Sequence, residues 1–139
     1  MNHLQKNINF FNKLAKYYDN GILGMWLNGI LRKLIKEVNF KENLIILDAG
    51  CGTGNFLKII SKNRTLKLYG IDISPQMLKI AKKKLKNKAE LNLIPVEKIK
   101  YKNKFDYIFS TEAFHHYENQ NKAMKNLYGA LKKNGKLII

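Results

Sequence analysis

The run Leu47-Asp48-Ala49-Gly50-Cys51-Gly52-Thr53-Gly54 follows an apolar stretch and opens a helix-like one. Glycines there let backbone approach a ligand closely and adopt positive φ. The free amides of the helix start suit a negative group. A dinucleotide fingerprint would place its last glycine at the sixth position, where Asn55 stands instead. An acid two residues before the first glycine would repel a pyrophosphate and attract an ammonium group, and Asp48 is that acid. Further on, Gly70-Ile71-Asp72 ends a second apolar run. A carboxylate there can accept hydrogen bonds from both hydroxyls of a ribose. An amino-acid end at the glycine loop and a ribose at Asp72 together describe S-adenosylmethionine.

Other reactive side chains are few. His115 and His116 are the candidate general bases, His116 ahead, because histidine accepts a proton near neutral pH. The simpler role is for one to pack under its loop while the other shapes a pocket. Cys51 has no cysteine partner and reads as a small loop residue rather than a nucleophile. Tyr17 and Tyr18 could cover a ligand or staple the first helix to the core. With a single cysteine there can be no all-cysteine metal site, and no metal is expected.

These residues need a scaffold. The first forty residues read as helical. Leu44–Leu47 is a buried strand, and Thr53–Lys62 a helix with Phe56, Leu57 and Ile60 on one face. Leu66–Ile71 is a second strand. Ser74 then caps a helix that starts at Pro75 and turns Met77, Leu78, Ala81 and Leu85 inward. Leu91–Ile94 and Phe105–Phe109 are strands three and four. Met124, Leu127, Tyr128 and Leu131 mark a helix that Asn134-Gly135 should stop. Lys136–Ile139 begins a fifth strand. Such alternation predicts an α/β fold: a parallel sheet with helices on both faces. Ile139 falls inside an apolar strand, so the chain reads as incomplete. Its fifth-strand edge is expected to pair with another copy or a partner chain.

The chain has 139 residues, which suits one domain. A single cysteine excludes an internal disulfide framework. No apolar run reaches the roughly 18 residues of a spanning helix, and the start lacks a signal pattern. A cytoplasmic location is expected. The formal charge is +16, and 24 of the 26 basic residues are lysine. Lysine, asparagine and isoleucine supply 57 of 139 residues, and their codons are AT-rich. Genome bias therefore accounts for the charge more simply than a polyanion site, and nucleic acid is a less favoured partner. The run Ala81–Lys88 reads as the solvated face of a helix. Lys98, Lys100, Lys102 and Lys104 would share one face if extended. Leu23, Trp26, Leu27, Ile30, Leu31, Leu34 and Val38 recur at helical spacing among Arg32, Lys33 and Lys36. That pattern fits a cap helix docked on the sheet, with peripheral membrane contact as the alternative.

The chain resembles the class I S-adenosylmethionine-dependent methyltransferases, in particular the small-molecule branch that includes the ubiquinone and menaquinone enzymes. The motifs are Phe11-x-x-x-Ala15-x-x-Tyr18-Asp19, LDAGCGTGNFL at 47–57, GIDISPQML at 70–78, and the stretch from Phe105-Asp106 through Phe114-His115-His116 to Leu131-Lys132-Lys133-Asn134-Gly135. The resemblance implies a Rossmann-like sheet of order 3-2-1-4-5, with the family's usual last two strands absent. It implies an N-terminal helical cap over 1–40 and a donor-binding part over 41–139. The implied cofactor is S-adenosyl-L-methionine, held by Asp48, Ala49, Gly50, Cys51, Gly52 and Gly54 at the methionine end. Asp72 would take the ribose, Ile73 and the Val96 backbone the adenine. Ser110 to His116, with Tyr18, would face the methyl group and a small-molecule acceptor. The family's aspartate after the third strand is replaced here by Pro95.

Methyl transfer to a small, lipophilic acceptor is thus the leading expectation. The alternatives are a non-catalytic donor-binding fragment, or half of a split enzyme needing a partner, and then an RNA methyltransferase. The last lacks an N/D-P-P-Y/F/W motif and a cysteine pair.

Overall fold

A computed structural model describes residues 2–38, 40–63, 65–111 and 113–139, and the backbone but not the side chain of Leu23. Five parallel strands form one sheet in the order β3-β2-β1-β4-β5. They are β1 (Ile45–Ala49), β2 (Lys67–Asp72), β3 (Glu90–Leu93), β4 (Phe105–Phe109) and β5 (Leu131–Ile138). The helices are α1 (His3–Leu14), α2 (Gly21–Val38), α3 (Asn55–Ile60), α4 (Pro75–Leu85) and α5 (Gln120–Ala130). The Rossmann-like order expected from the motifs is the order observed.

Strands covered on both faces must be apolar on both, and Ile46, Leu47, Ile71 and Ile108 are fully buried. On one face α3 and α4 contribute Phe56, Leu57, Ile60, Leu78, Ala81 and Leu85, with Leu31, Leu34, Ile35 and Val38 of α2 packed against them. On the other, Ala123, Leu127 and Ala130 of α5 pack with Leu47, Ile71, Val96 and Phe105. α2 therefore docks on the core. It also leaves Ile22, Met25, Trp26 and Ile30 exposed. Among the described residues no helix is long and apolar enough to cross a membrane.

Local chemistry sets the helix starts. Ser74 accepts a hydrogen bond from Met77 N at 3.1 Å, and Pro75 begins α4. Asn119 caps α5 through Lys122 N at 2.9 Å.

The end of α5 departs from expectation. Helix stops at Ala130, because Leu131 is already extended and pairs with Phe105. The register then jumps, so that Lys136–Ile138 pair with Tyr107–Phe109. Asn134, at φ 68°, and Gly135 turn the chain inside this irregular strand rather than stopping a helix. The buried stripe of α5 also differs. Met124 and Tyr128 are 36% and 77% exposed, and the alanines at 123 and 130 face inward with Leu127. Close packing on the sheet favours small side chains there over the large ones the periodicity selected.

Candidate functional site

The strand ends at β1 and β2 and the glycine loop between β1 and α3 build the site. Gly50, Gly52 and Gly54 have φ of 87°, 52° and 80°. The amides of Gly50 and Cys51 both donate to Ile71 O, at 2.8 and 2.9 Å, which folds the loop back over β2. A Cβ on Gly50 would lie 2.3 Å from Ala113 Cβ, so the loop after β4 needs a glycine there. A Cβ on Gly54 would meet Leu85 Cδ1 at 2.9 Å and Ala81 Cβ at 3.1 Å. The third glycine is thus required by α4.

Asp72 ends β2. Its Oδ2 accepts from Gly52 N and its Oδ1 from Ser74 N, both at 2.8 Å. Burial raises its carboxyl above the usual range, against the pull of those backbone donors. Asp48 is 3% exposed. Burial, with the Asp72 charge nearby, pushes its carboxyl up to about 8.

Two cavities meet at this loop. The glycine-loop cavity, partly open to solvent, has Asp72 and Ile73 on its β2 side and Val96 and Glu97 after β3. Its roof is Leu4, Phe11 and Tyr18, spaced seven apart along the N-terminal segment. The α2 cavity, also open to solvent, is bordered by Leu27, Ile30, Leu31 and Leu34 of α2 and by Asp48, Phe56 and Ile138. Tyr18, Gly50, Gly52 and Thr111 belong to both. Those four residues are a shared wall.

The residues singled out in the sequence distribute as follows. Tyr18, Gly50, Gly52, Asp72, Ile73, Val96 and His116 line the glycine-loop cavity. Asp48 and Cys51 border the α2 cavity. Ala49, Gly54, Ser110 and His115 line neither. Ala49 is buried in β1, and its carbonyl accepts from Tyr117 Oη at 2.9 Å. Ser110 is buried, and its hydroxyl meets the same Oη at 2.6 Å. His115 is exposed, its ring 3.9 Å from that of His116. Glu112, inside the loop expected to face the methyl group, lies outside the described residues. Burial raises the Cys51 thiol well above its ordinary range, which suits a packing residue and not a nucleophile. Tyr17 is 70% exposed, so of the two tyrosines only Tyr18 covers the site. Among the described residues no group of three His, Cys, Asp or Glu could hold a metal.

Several site residues escaped the sequence reading. Glu97 lines the glycine-loop cavity beside Val96 and accepts from Asn119 N at 3.2 Å, two residues after the Pro95 that breaks the family pattern. Tyr117 fastens the loop after β4 to β1, and burial raises its phenol. Asn7 Nδ2 donates to His116 O at 2.8 Å, and Asn12 Oδ1 accepts from Ser74 Oγ at 2.7 Å. Lys84, read as part of a solvated run, turns inward to Asp19 at 2.8 Å. The only available signal for Asp19 was its place beside Tyr18 in the N-terminal motif.

Residues 47–139 match a family model described as a methyltransferase domain. Malonyl-[acyl-carrier protein] O-methyltransferase 1 of Ilyobacter polytropus is 38% identical over 70% of this chain and 37% of its own length. A demethylmenaquinone methyltransferase of Leptospira interrogans is 31% identical over 92% of this chain and 57% of its own length. Among solved structures, a SAM-dependent methyltransferase from Aquifex aeolicus superposes with a TM-score of 0.75 at 27% identity, covering 87% of this chain and 67% of that one. The chain spans about half the length of the curated relatives it matches.

Proposed function

The chain belongs to the methyltransferase domain family, and on that premise we propose that it binds S-adenosylmethionine in the glycine-loop cavity and serves methyl transfer to a small, lipophilic acceptor in the α2 cavity. The observation that carries this reading is the shared wall. A donor whose sulfonium end reaches Tyr18, Gly50, Gly52 and Thr111 presents its methyl group to the second cavity.

Each part of the donor has a matching surface. Asp72, already fixed by two backbone amides, offers its remaining lone pairs to the ribose hydroxyls. Ile73 and Val96 supply apolar surface for the adenine, and the Glu97 carboxylate beside them is placed for its amino group. The loop backbone and Asp48 suit the methionine ammonium. When bound, S-adenosylmethionine would supply the methyl group to an acceptor lone pair in line with its carbon–sulfur bond, whose electron pair would stay on sulfur in S-adenosylhomocysteine. The acceptor's proton leaves to water or a base; His116 lines the donor's cavity and not the α2 cavity, so it would act only on an acceptor atom that reaches the shared wall. Catalysis of this kind rests mainly on holding donor and acceptor close and aligned. The apolar lining by Leu27, Ile30, Leu31, Leu34 and Phe56 favours a lipophilic acceptor.

Calorimetric titration of S-adenosylhomocysteine into this chain tests the donor site. Saturable binding is expected. Asp72→Asn should weaken it about ten- to 150-fold, from one lost charge-assisted bond of about 1.5–3 kcal/mol. Part of that loss passes through the loop, because either amide orientation leaves Gly52 N or Ser74 N without its acceptor. Folded protein that binds no S-adenosylhomocysteine would refute the reading.

A further inference from the structure

Asp19 sits in the connection between α1 and α2, directly after Tyr18. Its Oδ1 accepts from Thr53 Oγ1 at 2.6 Å and from Asn55 Nδ2 at 2.7 Å. Its Oδ2 accepts from Lys84 Nζ at 2.8 Å. The same ammonium donates to Thr53 Oγ1 at 3.2 Å and to Asn55 Oδ1. One carboxylate thus grips the loop on both sides of Gly54 and closes a ring of bonds with α4. The side chains of Asp19 and Lys84 are 31% and 21% exposed. We infer that Asp19 and Lys84 are positioning residues whose ion pair latches the N-terminal cover onto the glycine loop and so slows departure of a bound donor.

This inference rests on the proposed donor site, and three observations carry it further. First, the cover forms one wall of the cavity, through Leu4, Phe11 and Tyr18. A ligand inside touches the cover wherever it touches that wall. Second, α1 has no buried residue. A segment with so little apolar burial has low local stability and depends on its side-chain ties. Among the described residues those ties include Asn7 to His116 O, Asn12 to Ser74 and Gln76, and Asp19 to the loop and α4. Of these the last is an ion pair, and charge-assisted bonds are the stronger kind. Third, the backbone of Asp19 is held from behind. A Cβ on Gly24 would stand 2.5 Å from Asp19 O, so α2 packs directly on that carbonyl. The latch is therefore fixed at its α2 side while the cover extends from the other. The charge state agrees: burial alone would raise the Asp19 carboxyl, yet its bonds to Lys84, Thr53 and Asn55 hold it below the usual range.

Two measurements on the same protein test the latch. Stopped-flow kinetics with S-adenosylhomocysteine should show Asp19→Asn and Lys84→Met each raising the dissociation rate about tenfold, with association unchanged or faster. The double variant should be no worse than either single one, because both remove the same tie. Lys84→Arg, which keeps the charge, should retain slow release. Amide hydrogen exchange of the free chain should speed up in α1 in both singly substituted proteins and stay unchanged in β1, β2 and β4. A purely structural role would lower the melting temperature without moving the dissociation rate alone. Folded Asp19→Asn protein with a dissociation rate within about twofold of wild type, or with slower association only, would overturn the latch. So would unchanged exchange in α1. Wild-type protein that binds no S-adenosylhomocysteine overturns the donor site and the role in release together, and exchange then reports on the tie alone.

Discussion

Binding of an ammonium-bearing ligand should expel a proton from Asp48. The carboxyl is buried at the end of β1, and burial with the neighbouring Asp72 charge holds it at about 8. At pH 7 the free chain therefore carries Asp48 mostly protonated. Asp48 borders the α2 side of the shared wall, and a donor ammonium that reaches it there favours the carboxylate, so the proton must leave as the ligand enters. If only the ionised form binds well, the competent fraction rises from about one part in a hundred at pH 6 to about half at pH 8, a gain of about fiftyfold in affinity. Close to 0.9 proton is then released per ligand at about pH 7. Calorimetry of S-adenosylhomocysteine in two buffers of different ionisation enthalpy measures that proton directly. Methylthioadenosine, which lacks the amino-acid end, is the control and should bind without the pH dependence. Asp48→Asn should flatten the profile, which assigns the released proton to Asp48. Affinity that stays flat between about pH 6 and pH 8, with no proton released, would refute the reasoning.

The same raised value has a sign for stability. The folded chain holds the Asp48 proton up to about pH 8, whereas the unfolded chain loses it near the ordinary value of 3.8. Folding stability from this group is therefore present below that ordinary value and falls as pH rises through the window. Asp48→Asn should remove that slope in urea unfolding followed across pH. Gly54→Ala should destabilise by about 2–4 kcal/mol, from the left-handed backbone and the clash with Leu85 and Ala81, and an unchanged urea midpoint would contradict it. Tyr117→Phe deprives Ala49 O and Ser110 Oγ of a partner and should cost about 1–3 kcal/mol in the same assay, with the fold intact by circular dichroism.

Much of the scaffold was legible because its signals are local. The Ser74-Pro75 start, the apolar runs of β1, β2 and β4, and the glycine loop each declare themselves within about ten residues, and parallel βα alternation leaves few topologies to choose from. What failed was also local in cause. The periodicity of α5 weighted Met124 and Tyr128 by size, whereas the sheet surface accepts Ala123 and Ala130. Asn134-Gly135 carries the same turn chemistry whether it stops a helix or folds an irregular strand, and pairing of Leu131 with Phe105 decides between them.

The site itself was legible only where a motif names its ligand. Gly50, Gly52 and Gly54 are written alike in the sequence, yet they answer to different neighbours: Ala113 for the first, Tyr18 for the second, Leu85 and Ala81 for the third. None of those neighbours is close in sequence to its glycine, so spacing alone could not separate the two that line the cavities from the one that packs. The same distance hid Lys84 from Asp19, because a lysine within Lys82-Lys83-Lys84 has no local feature that marks it as the inward one. Its partner lies 65 positions away. A residue's role at this site is fixed by the element that crosses over it, and the crossing is a property of the sheet order. The order therefore does more than carry the motifs. By setting β1 between β2 and β4, it brings Asp72, the glycine loop and Thr111 to one edge and leaves Tyr18 to close the gap between two cavities.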